Sequence, residues 1–298
     1  MSFKTATALL RGAFLIEPKY AQAQLPIVLR MLQGNYEEPS SNIETSAHNV
    51  PRRVQMQNTS SAVYTIRPYQ STDRLPYNSI AMVDIIGPIL KYGDWCTEGS
   101  ISYNDLMLRL AASDRVQGII LNIDSPGGQA AGTAMLYETI REITKVKPVI
   151  SIIQDGYAAS AGMWIAAGAQ EIYCTRGTDS VGSIGAYVTL YDFTEYFAAE
   201  GIKITEIYAP QSVDKNKNYK DAIAGDTAGV ENELAFLVED FKAGIANSRG
   251  ARLKMKGNEP FTGKMYFAKE AKAIGLIDGI KSLSGVVDRM NQLIKLRK

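Results

Sequence analysis

A single histidine, His48, occurs in 298 residues, and it sits in a polar stretch without periodicity. No Cys/His/Asp cluster has ligand spacing, which argues against a metal site, and one loop histidine argues against a Ser-His-Asp triad. The two cysteines, Cys96 and Cys174, lie far apart. No disulfide framework is expected, and a reducing compartment such as the cytoplasm is the default. Charge of either sign is not in excess: 32 Lys and Arg against 31 Asp and Glu leave a net +1. Without a basic, aromatic stripe, nothing points to nucleic acid. There is no G-x-x-x-x-G-K-[ST] loop, so ATP is not hydrolysed by that route, and no cofactor is called for. Apolar runs fall short of the about 18 residues of a membrane span. The start, "MSFKTATALLRGAFLIEPKY", is interrupted by Arg11 and Glu17 and reads as a poor signal peptide.

What is present is organised in three parts. Residues 1–34 read as a small helical unit, with "YAQAQLPIVLRMLQG" at roughly helical spacing and a terminal glycine. Residues 35–76 are polar and read as a linker that contains His48. From residue 77 to 298 the texture is α/β. "SIAMVDIIGPIL", "VQGIILNID", "KPVISIIQD", "EIYCT" and "KITEIYA" read as strands. "SYNDLMLRLAAS", "AAGTAMLYETIREITKV", "DFTEYFAAEG", "GVENELAFLVEDFKAGIANSRG", "AKEAKAIGLID" and "LSGVVDRMNQLIKL" read as helices. The continuous apolar runs are those of parallel strands covered on both faces, and the strand–helix–strand unit across 116–155 implies a right-handed crossover.

Two special stretches follow consecutive strands of that crossover, where open α/β sheets place ligand sites. "DSPGG", residues 124–128, supplies a proline-fixed turn in which the Gly127 and Gly128 amides are uncovered. Such a donor can hold the oxyanion formed in acyl transfer. "GYAASAG", residues 156–162, places Ser160 at a helix start among small residues, with the Ala161 amide as a second donor. Each has a plain alternative, since Pro-Gly-Gly is a common turn and serine a common N-cap. A serine nucleophile needs a base, and without a usable histidine the remaining common choice is a lysine made neutral by burial. Lys215, Lys217 and Lys220 lie in "SVDKNKNYKDAIAG", and Lys220 opens the segment that reads as helical.

Taken together, "IAMVDIIGPI", "IILNIDSPGG", "GYAASAGMWIAAGAQEIYCTRGTDSVGSIGAY", "NYKD" and "FTGKMYFAKEAKAIGLIDGI" resemble, in order, the signal peptide peptidase A family of serine peptidases. The resemblance covers about 78–290. It implies a Clp/crotonase-like parallel β-sheet with covering helices, here a Ser/Lys peptidase domain over 77–298. By that resemblance Ser160 is the nucleophile, Lys220 the general base, Gly127, Gly128 and Ala161 the oxyanion hole, and Gly182, Ser183, Ile184 and Gly185 line the substrate groove. The resemblance further implies a homo-oligomeric ring in which the lysine comes from a neighbouring subunit. The chain departs from the family in reading "KNKNYKD" where a glycine usually precedes the lysine motif, which keeps Lys215 and Lys217 open as bases. It also lacks the signal or anchor helix of membrane-bound members and looks more like soluble, phage-encoded members that process capsid and scaffold proteins, within the procapsid of an infected or lysogenic bacterium.

The expected activity is ATP-independent cleavage of unfolded or extended polypeptide. The alternatives are a membrane-associated peptidase that degrades signal peptides, a crotonase-like acyl-CoA enzyme, and a catalytically silent, ring-forming assembly protein. The extended linker reads as a passive tether, with cutting by a neighbouring subunit's site as the alternative.

Overall fold

The computed structural model describes residues 14–16, 50–56, 62–93 and 98–297. The helical spacing over 20–34, His48, Cys96 and the first part of the linker lie outside the described residues. Within the N-terminal unit, Phe14–Ile16 is described as a strand (β1) and not as a helix.

Most of the strands belong to one sheet. Arg52–Arg53 (β2), Val63–Thr65 (β3), Ser79–Ile86 (β4), Val116–Asp124 (β5), Val149–Ile153 (β7), Glu171–Cys174 (β9) and Gly279–Ile280 (β12) lie in the order β12-β9-β7-β5-β4-β3-β2. Every neighbouring pair is parallel except β2 with β3. Residues 62–76, which the polar texture assigns to the linker, therefore supply a sheet strand. Val63, Ile66 and Leu75 are buried, and three short apolar points in a polar stretch are too few to mark a period.

The apolar runs of β4 and β5 face two cores alternately. Ala81, Val83, Ile85, Ile119, Leu121 and Ile123 pack on one side, and Ile80, Met82 and Ile120 on the other. This is the two-residue alternation of a strand covered on both faces. Ser100–Ala112 (α1) and Thr133–Val146 (α2) cover the first face through Leu106, Met107 and Leu110, and through Leu136, Tyr137, Ile140 and Ile143. Leu283–Lys295 (α8) covers the second through Val286, Val287, Met290, Leu293 and Ile294. Both patterns are helical stripes.

Ala161–Ala167 (α3) is buried along its whole length, so it has no solvent face. Trp164 on α3 stacks on Phe241 of Ala228–Arg249 (α6) with ring centroids 4.9 Å apart. Thr194–Ala199 (α4), Lys217–Ile223 (α5) and Ala268–Ala273 (α7) complete the described helices. "KITEIYA", expected as a strand, is not one: no partner edge meets it, and Ile204 and Ile207 are exposed at 61% and 91%. Two smaller sheets finish the fold. Gly127–Gln129 (β6) pairs with β1, and Tyr157–Ala159 (β8), Ser180–Gly182 (β10) and Met265–Phe267 (β11) form the order β11-β10-β8.

Candidate active site

The ends of β5 and β8 meet at Ser125. Its N–H donates to the Tyr157 carbonyl (2.8 Å), and its own carbonyl accepts from the Ala159 N–H (2.9 Å). Its buried Oγ donates to the Gly87 carbonyl (2.7 Å) and accepts from the Gly127 N–H (3.1 Å). The hydroxyl ties the glycine turn to Gly87 at the end of β4, and the Ser125 backbone ties it to the segment that leads into Ser160.

Those bonds distinguish the two glycines. The Gly127 amide is taken by Ser125, and the Gly127 carbonyl accepts from the Ile89 N–H (2.8 Å). The Gln129 N–H donates to the Ile89 carbonyl (2.8 Å). Successive residues of a strand turn their peptide groups to opposite sides, so the Gly128 N–H faces away from Ile89. Of the two amides expected at an oxyanion hole, only that of Gly128 has this orientation. Position 128 also needs glycine, because a Cβ there would overlap the carbonyl oxygen of Ile89. Gly127 adopts φ 93°, a region that favours glycine.

Ser160 follows β8 and precedes α3. Its φ of 53° and ψ of −118° are a conformation that non-glycine residues rarely adopt. Such strain costs of order 1–3 kcal/mol and persists only where the surroundings impose it. Here the Ser160 N–H donates to the Gly182 carbonyl (2.8 Å), and the Ser160 carbonyl accepts from the Trp164 N–H (3.0 Å). The side chain makes no capping bond to α3, so the N-cap explanation for a serine at this position does not apply. The Oγ instead donates to the Gly185 carbonyl over a long 3.5 Å. Ala161 is the first residue of α3, and its amide has no carbonyl four residues earlier within the helix to bond. Gly162 brings α3 against Ser125, where a Cβ would lie 3.1 Å from the Ser125 Cβ.

The predicted groove residues surround this turn. Gly182 ends β10 beside Ala159, with φ 132°. The Ser183 N–H donates to the Lys264 carbonyl (2.9 Å), the carbonyl of the buried Ile184 accepts from the Gly263 N–H (3.1 Å), and the Gly185 carbonyl meets Ser160. The structure thus brings together Ser160, Ala161, the 127–128 turn and residues 182–185.

The Ser160 hydroxyl bonds to Gly185 and to none of the three lysines. Lys220, on α5, pairs with Glu206 at 2.8 Å and lies over the Tyr208 ring, 4.2 Å from its centroid. Its side chain is 46% exposed. Hydrogen bonds that its ammonium donates to Glu206 and then to Tyr208 push its pKa up, opposite to the lowering expected of a buried base. Lys217 pairs with Asp221, which likewise raises it. Lys215 is exposed.

Two residues that sequence reasoning passed over organise this site. One is Ser125, which lies inside "DSPGG" beside a more conspicuous proline and two glycines. The other is Asp179, just before "SVGSIGAY". Its buried carboxylate accepts from the amides of Gly156 (3.2 Å), Thr175 (2.8 Å) and Arg176 (2.9 Å), closing the loop that leads into β10. Replacing Ser125 by alanine leaves the Gly127 N–H and the Gly87 carbonyl without this partner. An orphaned buried group costs about 1–3 kcal/mol, so thermal denaturation of Ser125→Ala is expected to show a loss of that order.

The chain is similar in sequence to known proteins. Residues 93–177, which include the glycine turn and Ser160, match the Clp protease family. A putative protease of Methanocaldococcus jannaschii is 26% identical over 191 residues, 64% of this chain and 60% of that protein. Capsid assembly protease C of Escherichia phage lambda is 32% identical over 236 residues, 78% of this chain and 53% of that protein. The chain spans a little over half the length of these two relatives. Among solved structures, a membrane-bound stomatin-specific protease aligns with a TM-score of 0.42 at 21% identity, over 72% of this chain and 85% of that one. Residues 141–297, more than half of the chain, match Peptidase family S49, and that span holds the serine turn, the 182–185 loop and all three candidate lysines. This chain belongs to peptidase family S49.

Proposed function

We propose that the chain is a serine endopeptidase that cuts extended or unfolded polypeptide without ATP. Ser160 is the nucleophile, the Gly128 and Ala161 amides hold the oxyanion, residues 182–185 line the groove, and Lys220 is the general base. The observation that carries the reading is the strained Ser160 turn, whose hydroxyl caps nothing and makes only a long bond to the Gly185 carbonyl. The lysine takes the Ser160 proton as the hydroxyl adds to the peptide carbonyl, then returns it to the leaving amine. Water hydrolyses the ester.

In the protomer Lys220 is paired with Glu206, so catalysis requires that this pair open and that the lysine reach a serine. Delivery to a neighbouring protomer's serine in a ring satisfies both. The exposed Tyr196, Ile204, Ile207, Val213 and Phe236 around the lysine segment support assembly there. The relationship to the lambda capsid protease supports phage head or scaffold proteins as substrates. Among the described residues no helix is long and apolar enough to cross a membrane.

The test is incubation of the assembled protein with unfolded casein, with fragments followed by mass spectrometry for the parent, Lys220→Ala and Lys220→Arg. Fragments from the parent and none from either variant support the dyad. Full activity in Lys220→Ala moves the base to Lys215 or Lys217, and an uncut substrate with a confirmed oligomer overturns the reading. The pH profile adds an independent check. A protonated lysine accepts no proton, so kcat/KM rises with pH as Lys220 loses its proton. Glu206→Gln removes the partner that raises the lysine, so the rising limb is expected to move to lower pH. An unmoved limb would show that Glu206 does not face Lys220 in the assembled enzyme.

A further inference from the structure

The strand beside the candidate oxyanion donor is supplied by the chain itself. Phe14–Ile16 runs antiparallel to Gly127–Gln129, with Phe14 opposite Gln129, Leu15 opposite Gly128 and Ile16 opposite Gly127. Ile89 takes the Gly127 carbonyl and the Gln129 amide on the other side. The alternation of an antiparallel ladder therefore makes Leu15 and Gly128 the hydrogen-bonded pair, with the Leu15 carbonyl accepting from the Gly128 N–H. Ser160 is only 1% exposed, although a nucleophile awaiting a substrate would be open to one.

From this register we infer that residues 14–16 occupy the substrate strand and that the Leu15–Ile16 peptide bond is cut by the site. The inference rests on the peptidase reading above, and it names the chain's own N-terminal segment as a substrate. It follows from which carbonyl the oxyanion donor holds: a carbonyl bonded to Gly128 is the one that nucleophilic attack converts to an oxyanion. Ser160 Oγ adds to the Leu15 carbonyl carbon, the C–N bond to Ile16 breaks, and the serine proton leaves on the Ile16 nitrogen by way of the general base. Water then adds to the Leu15 ester, leaving a Leu15 carboxylate and regenerating the Ser160 hydroxyl. The products are residues 1–15 and a chain that begins at Ile16, so the cut falls ahead of the polar linker.

The experiment is intact-mass and N-terminal analysis of the full chain, from expression through prolonged incubation, with casein cleavage by the same sample recorded in parallel. The expected result is a chain beginning at Ile16 in the parent and an uncut N-terminus in Ser160→Ala. Leu15→Pro, which removes the N–H and breaks the strand pairing, is expected to remain uncut at this bond. An intact parent chain, or one cut elsewhere, while casein is degraded would overturn the inference and leave the peptidase reading standing. If neither chain nor casein is cut, both fail together.

Discussion

Ser160→Ala is expected to abolish casein cleavage, with a loss of at least about 10⁴-fold in kcat, the scale on which removing a serine nucleophile acts. Thermal stability is expected to change little by comparison. The Ser160 hydroxyl makes one long bond to the Gly185 carbonyl and no cap to the helix it precedes, so alanine removes almost no structural bonding. The backbone bonds to Gly182 and Trp164 that impose the strained turn are retained. Rate measured against unfolding midpoint separates the two roles. A variant that keeps its activity would show that the turn holds the serine for some other purpose, and one that loses both activity and fold would show that the hydroxyl is structural.

The second large effect is expected at Gly128. An alanine there places its Cβ against the Ile89 carbonyl, so β6 must move away from the bridge that holds it. The Gly128 amide would move with the strand. Loss of one oxyanion donor costs about 10²–10³ in rate, and the displaced strand adds a loss of stability that Ser160→Ala does not have. Casein turnover by Gly128→Ala, corrected for the folded fraction, is expected to fall within or beyond that range. Unchanged turnover in a folded variant would remove Gly128 from the oxyanion hole.

The residues that made the site legible in sequence were those with little freedom to be anything else. Parallel strands buried on both faces announce themselves as continuous apolar runs, which is why β4, β5, β7 and β9 could be read directly. Once they were ordered, "DSPGG" and "GYAASAG" fell at adjacent strand ends. What could not be read depended on partners remote in sequence. Val63–Thr65 is a strand because β4 offers it an edge, and its own residues carry too short a pattern to show it. "KITEIYA" carries a strand-like pattern with no edge to join. The pairing of β1 with β6 joins residues more than a hundred positions apart, and no local feature of Phe14–Ile16 marks it. The same limit applies to the base. Lys220 stands out in sequence by its position, yet Glu206 and Tyr208, whose partnership raises its pKa, do not. The difference between Gly127 and Gly128 follows from Ser125, whose hydroxyl occupies one amide, and from Ile89, whose bonds to the flanking peptide groups turn the other away.

The most direct test of the account is to treat the parent protein with a peptide-linked fluorophosphonate, which reacts with activated serines, and to map the adduct by mass spectrometry. The account predicts one adduct, on Ser160, lost in Lys220→Ala. An unlabelled Ser160 in an assembled, folded protein, or an adduct on another residue, would contradict it.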